Sequence, residues 1–130
     1  MLKSGIYGKY HGIEYEITVD MENNIMIMTE DKRKIDQTFE DKYNSGVYTK
    51  IVNSSELVDC VNITPFGIIQ GEKLRILQAN NNEYQVGTGS MLIGDKINLP
   101  RVDRDTRLGW VPKSEVKVIE EKISINPHEL

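Results

Sequence analysis

Apolar and polar residues alternate through Ile13, Tyr15, Ile17 and Val19, with Glu14, Glu16 and Thr18 between them. This is the period-two pattern of a strand with one buried face. Asp20-Met21-Glu22-Asn23-Asn24 supplies turn chemistry, and Ile25-Met26-Ile27-Met28-Thr29 resumes as an apolar strand expected to be covered on both faces. Together they predict a hairpin. Residues 30–45 are polar, with Ile35, Phe39 and Tyr43 as anchors at helical spacing, which predicts a short helix or an ordered loop. Residues 46–52 are β-branched and aromatic, hence a strand. Asn53-Ser54-Ser55-Glu56 then predicts a capped helical turn, and Leu57 to Val61 a closing strand.

The same order returns in the second half. Tyr7-Gly8-Lys9-Tyr10-His11-Gly12 is answered 59 residues later by Phe66-Gly67-Ile68-Ile69-Gln70-Gly71. Tyr15 and Ile17 match Leu74 and Ile76 at that spacing, Ile25, Ile27 and Thr29 match Tyr84, Val86 and Thr88, and Ser55-Glu56-Leu57 matches Ser114-Glu115-Val116. Tyr48 and Trp110 align at a spacing of 62, a change that differing loop lengths account for. The run Asn80-Asn81-Asn82 is expected to supply positive φ to a turn. Residues 89–107 read as a variable connection, with Pro100 at a strand end or in a loop.

A repeat at one spacing means two copies of one supersecondary unit. The expected fold class is therefore all-β: two tandem five-stranded barrels from an internal duplication, packed against each other. The units are residues 1–62 and 63–120, and residues 121–130 form a polar C-terminal tail expected to fray. Barrel closure removes the exposed edges that make short sheets marginal. Ile63, Phe66, Ile68 and Ile69 at the junction are expected to pack and fix the two lobes.

Composition narrows the function. Hydrophobic content of 38% and charged content of 28% describe an ordinary globular chain. No apolar run approaches the roughly 20 residues of a membrane span. Residues 1–5 hold no apolar stretch fit for a secretory signal, which points to the cytoplasm. The single cysteine, Cys60, excludes an internal disulfide and reads as a buried inert thiol. Net charge is −4, and residues 1–62 carry all of the excess, with 7 Lys or Arg against 11 Asp or Glu. An acidic first half argues against nucleic acid and suits a basic protein partner.

No catalytic or metal signature appears. His11 and His128 have no ligand-type neighbours at metal spacing, and no phosphate loop, nucleophile elbow or zinc-protease helix is present. No cofactor is expected. Arg101, Arg104 and Arg107 are interleaved with Asp103 and Asp105, which reads as a local turn or a partner contact.

Gly71-Glu72-Lys73-Leu74-Arg75-Ile76-Leu77, followed by Leu108-Gly109-Trp110-Val111-Pro112-Lys113-Ser114-Glu115-Val116, resembles a Src-homology-3-like (SH3-like) barrel of the bacterial branch. The likeness spans nearly all of the second unit. It is weaker in the first, where Gly46-Val47-Tyr48 stands without a following proline. The paired tryptophans of the family's polyproline-binding branch are missing, so that ligand is not implied. In size, charge and duplicated architecture the chain is similar to small bacterial toxin-immunity proteins. The resemblance implies a non-enzymatic intracellular inhibitor that blocks a cognate partner such as a basic toxin. The expected contacts are Glu14 and Glu16 on the acidic hairpin and Asp31, Asp36 and Asp41 in the following loop. Trp110 is read first as a core or inter-lobe residue and is kept among the partner contacts. Two other classes stay open: a wall-peptide-binding module, as bacterial relatives of this superfamily often are, and an enzyme sited between the lobes.

Overall fold

The computed structural model describes residues 2–130, and it is all-β with one short helix. The strands are β1 (Gly5–Tyr10), β2 (Ile13–Val19), β3 (Ile25–Thr29), β4 (Tyr48–Ile51), β5 (Leu57–Ile69), β6 (Glu72–Ala79), β7 (Glu83–Thr88), β8 (Arg101–Asp103), β9 (Thr106–Pro112) and β10 (Lys117–Ser124). Helix α1 (Met91–Lys96) lies between β7 and β8. The ladder path runs β4-β3-β2-β1-β5-β6-β7-β9-β8 without closing, and β10 pairs β5 off this path.

The chain divides into two compact units. The first gathers residues 4–63 with residues 122–130. Its core is Tyr10, Tyr15, Ile17, Ile27, Val52, Leu57 and Cys60, with Ile27 wholly enclosed. His11 (φ 51) and Gly12 (φ 80) turn β1 into β2 with two successive positive φ angles, the geometry whose twist suits a two-residue hairpin. At the start of β5 the buried positions Leu57 and Cys60 are three apart instead of alternating, and regular alternation begins at Ile63. A bulge explains this: Tyr7 faces Val61, Lys9 faces Val58, and Asp59 between them takes φ 51. Cys60 is thereby turned into the core, where burial first, and the Asp59 charge second, raise the thiol pKa.

Residues 30–45 adopt the ordered-loop alternative, with a single 3-10 turn at Lys32–Lys34. Phe39 packs on the core, while Tyr43 is 80% exposed and anchors nothing. The C-terminal residues do not fray. The Ile125 amide donates to the Cys60 carbonyl at 2.9 Å, Ile125 and Leu130 pack on the first core, and Asn126 caps a 3-10 turn at Pro127–Glu129. Two apolar side chains spaced by a cap outweigh the polar composition that predicted a tail.

The second unit gathers residues 64–121 with Leu2 and Lys3. Ile69, Leu74, Ile76, Val86 and Leu99 form its core, and Leu2, Ile93, Ile97, Val111 and Val116 pack against it. Helix α1 was not legible as such. Ser90 caps it by accepting from the Ile93 amide at 3.2 Å, and Arg107 clasps it from β9 by donating to the Leu99 carbonyl at 2.6 Å and pairing with Asp95. Arg101 likewise donates to the Asp103 and Arg104 carbonyls, so two of the three arginines in this segment bind their own connection. The asparagine run works through a side chain and not through positive φ: Asn80 Oδ1 accepts from the Asn82 and Glu83 amides. Pro65 lies inside β5, in the gap between the last residue paired with β1 (Ile63) and the first paired with β6 (Phe66), so its missing N–H falls outside those two ladders.

Ladder partners within the two units recur at one offset. Gly8 faces Tyr15 and Gly67 faces Leu74; Ile17 faces Ile27 and Ile76 faces Val86; Thr29 faces Tyr48 and Thr88 faces Arg107. The turn residues repeat as well, with Gln70 (φ 49) and Gly71 (φ 80) standing where His11 and Gly12 stand. The 62-residue alignment of Tyr48 with Trp110 is corrected here. Trp110 faces Gln85 as Ile51 faces Met26, and both pairs are 59 apart. Aromatic identity had outweighed register in the sequence comparison.

Candidate binding surface

Residues directly opposite in antiparallel strands project from the same face. Across the first unit, one outward row is Tyr7, Glu16, Met28 and Thr49. The adjoining pair is Lys9 and Glu14. Glu16 is half-buried in this row, and its carboxyl pKa is raised, first by burial and then by the nearby Glu30 charge. Two like charges at one edge of a strand face repel, and a cation seated between them relieves the repulsion.

The three loop aspartates are placed differently. Asp31 caps its turn and accepts from the Arg33 amide at 2.9 Å and from the Arg33 guanidinium at 2.9 and 3.0 Å. Asp36 accepts from the Thr38 amide at 2.8 Å and from its hydroxyl. Asp41 accepts from the Ser45 and Gly46 amides at 2.9 and 3.0 Å. Each carboxylate holds its own loop, which leaves them as contributors to the field of this face and not as converging contacts. Glu14 is positioned by β2, and its carbonyl accepts from the Lys34 ammonium at 3.1 Å.

Asp31 offers a pH test. The Arg33 side chain, then its amide, hold the Asp31 pKa down to about 2 from an ordinary 3.8. Because the folded value lies below the unfolded one, this turn's contribution to stability is complete above about pH 4 and is lost as pH falls through about 2. A carboxyl NMR titration is expected to place the Asp31 midpoint near 2, and a midpoint near 4 would mean that the Arg33 bonds do not persist in solution.

The corresponding outward row of the second unit is Phe66, Arg75, Gly87 and Leu108. At the same offset, Glu14 and Glu16 are exchanged for Lys73 and Arg75, and Met28 for Gly87. The charge is inverted and the central side chain is removed. A groove of about 480 Å³ lies at this place, walled by Phe66, Leu77 and Leu108 with Lys73 and Arg75 on it. Lys73 sits 4.2 Å from the centre of the Phe66 ring and pairs with Glu121. Trp110 stands on the same outward side of β9 and is 42% exposed, so the expectation that it is a core residue is corrected. Val111, its neighbour, takes the inward position.

Sequence reasoning missed this second face. Its signal was present in the repeat, since the positions between the matched core residues carry opposite charges in the two copies. Among the described residues no three His, Cys, Asp or Glu side chains gather as metal ligands, and no helix is long and apolar enough to cross a membrane. His128 Nδ1 lies 2.8 Å from Ser54 Oγ, and His11 stacks on Tyr10.

The architecture defines an all-β protein whose two units present strand faces of opposite charge. The chain belongs to the family described as Uncharacterised conserved protein UCP033725, whose family model matches residues 2–128. No curated protein and no solved structure matches the chain.

Proposed function

We propose that the protein is a non-enzymatic, intracellular protein-binding module built of two tandem SH3-like units from an internal duplication, and that it acts as an immunity-type inhibitor of a basic partner. Support for the duplication comes from ladder partners that recur at a 59-residue offset across four strands of each unit, broken only past the bulge after Ile76, where β6 shifts by one residue. In both units the last strand returns to the first, β5 to β1 and β10 to β5, as the strand order of a small barrel requires.

The observation that carries the binding reading is the half-buried Glu16 beside Glu30, where burial first and the Glu30 charge second raise the Glu16 pKa. A lysine or arginine from a partner would lower that energy on docking, and the surplus acid of residues 1–62 would steer its approach. Asp31, Asp36 and Asp41 add to this field while bracing the loop beside it.

Capture from the native cell tests the reading. The wild-type chain is expected to retain a stoichiometric basic protein, with retention falling as salt is raised. The variant Glu16→Lys with Glu30→Lys is expected to weaken that capture by about tenfold or more. Equal capture by both chains, or no stoichiometric partner for either, would reject it.

A further inference from the structure

We propose that the groove on the outward face of the second unit is a binding site for a small carboxylate with an apolar body, of the fatty-acid type. The inference goes beyond the partner surface above, which lies on the other unit, and it stands without it.

Gly87 stands at the middle of the groove lining. Gly87 lies in β7 between Arg75 of β6 and Leu108 of β9, its direct ladder partners. A Cβ placed on it would lie 3.0 Å from the Leu108 side chain and 3.4 Å from that of Leu77, so the two leucines close over the glycine from either side. Leu77 reaches this position through a bulge, since Ile76 faces Val86 while Gln78 faces Gln85. At the same offset in the first unit, Met28 stands in place of Gly87, Thr18 in place of Leu77 and Thr49 in place of Leu108, so the apolar wall is particular to the second copy.

The charges at the hollow select its occupant. The Arg75 side chain is exposed and, among the described residues, has no hydrogen-bond or ion-pair partner, and it stands in the row between Phe66 and Gly87. Lys73, beside it, rests on the Phe66 ring and shares its charge with Glu121, which lies outside the groove wall. Among the described residues no acid lines the groove. A solvent-facing guanidinium next to an aromatic ring and two leucines matches a carboxylate whose hydrocarbon lies along the leucines. The volume of about 480 Å³ falls in the range of small-molecule sites, roughly 300–1,000 Å³. A cation would be repelled by the Arg75 charge, and a neutral amphiphile would forgo the charge-assisted bond to the guanidinium.

The test is titration of the full-length, isotope-labelled protein with decanoate, followed by amide NMR, with decanol as the neutral molecule of equal chain length. The expected result is saturable shifts at Arg75, Leu77, Gly87 and Leu108, and binding of decanol about tenfold weaker or less. Arg75→Gln alters an exposed side chain and is expected to bring decanoate down to the affinity of decanol. Gly87→Ala, which narrows the hollow, is expected to weaken both. Equal affinity for the two amphiphiles, shifts centred elsewhere, or no saturable shift below the onset of micelles would overturn the proposal. Glu16→Lys is expected to leave the titration unchanged, which separates this outcome from that of the partner surface.

Discussion

Removal of residues 122–130 is expected to lower the melting temperature by roughly 10 °C or more. The segment carries Ile125 and Leu130 onto the first core, and its Ile125 amide bonds the Cys60 carbonyl. Full burial of one such side chain stabilises by about 1.5–3 kcal/mol. Both are half-buried, so the pair contributes roughly 1.5–3 kcal/mol, with further loss from uncovering the Cys60 carbonyl. That is a large share of a total stability that is typically about 5–15 kcal/mol. A circular-dichroism melt of the truncated chain beside the full one measures it. The point variant Ile125→Ser keeps the chain length and is expected to give a smaller shift in the same direction. Identical melting of all three chains would restore the frayed tail that composition alone suggests.

The strands were legible because their cores follow strict periods. Tyr15 and Ile17 alternate with acids, and Leu74 and Ile76 with Lys73 and Arg75, so the inward set of each hairpin can be read directly. Features that depend on distant chain were not legible. Ile125 and Leu130 look like strays in a polar tail until the Cys60 carbonyl and the first core are brought to them. Helix α1 has six residues, too few for a periodic signal, and its cap at Ser90 is one serine among many. Trp110 was read as core on residue type, whereas ladder position decides its side. Val111 points inward and Trp110 therefore outward. The acidic loop illustrates the same limit in chemistry: Asp31, Asp36 and Asp41 are a cluster in sequence, yet each closes its own turn. The groove was half-legible. The exchange of Glu16 for Arg75 is visible in the repeat, but a hollow at Gly87 depends on which side chains flank it across two ladders.

Ile17→Ala and Ile76→Ala are expected to destabilise by similar amounts, each about 2–5 kcal/mol. The two isoleucines are 5% and 4% exposed, each faces the most enclosed residue of its unit, and each lies against a glycine of the preceding strand. A Cβ on Gly8 would come within 2.7 Å of the Ile17 Cδ1, while a Cβ on Gly67 would lie 3.5 Å from that of Ile76. Ile17 is the more tightly held, and its removal is expected to be the costlier by up to about 1 kcal/mol, because a tighter site collapses less around a void. Ile→Val at each position is expected to cost about 0.5–1.5 kcal/mol, which supplies a graded series at unchanged polarity. Chemical denaturation of the four variants, with slopes compared to exclude changes in the unfolded chain, gives the measurement. If the units are copies of one module, the deletions weaken equivalent cores. A cost below about 1 kcal/mol at one isoleucine beside more than about 3 kcal/mol at the other would mean that shared ladder register does not carry shared packing, and the duplicated-barrel reading would fall with it.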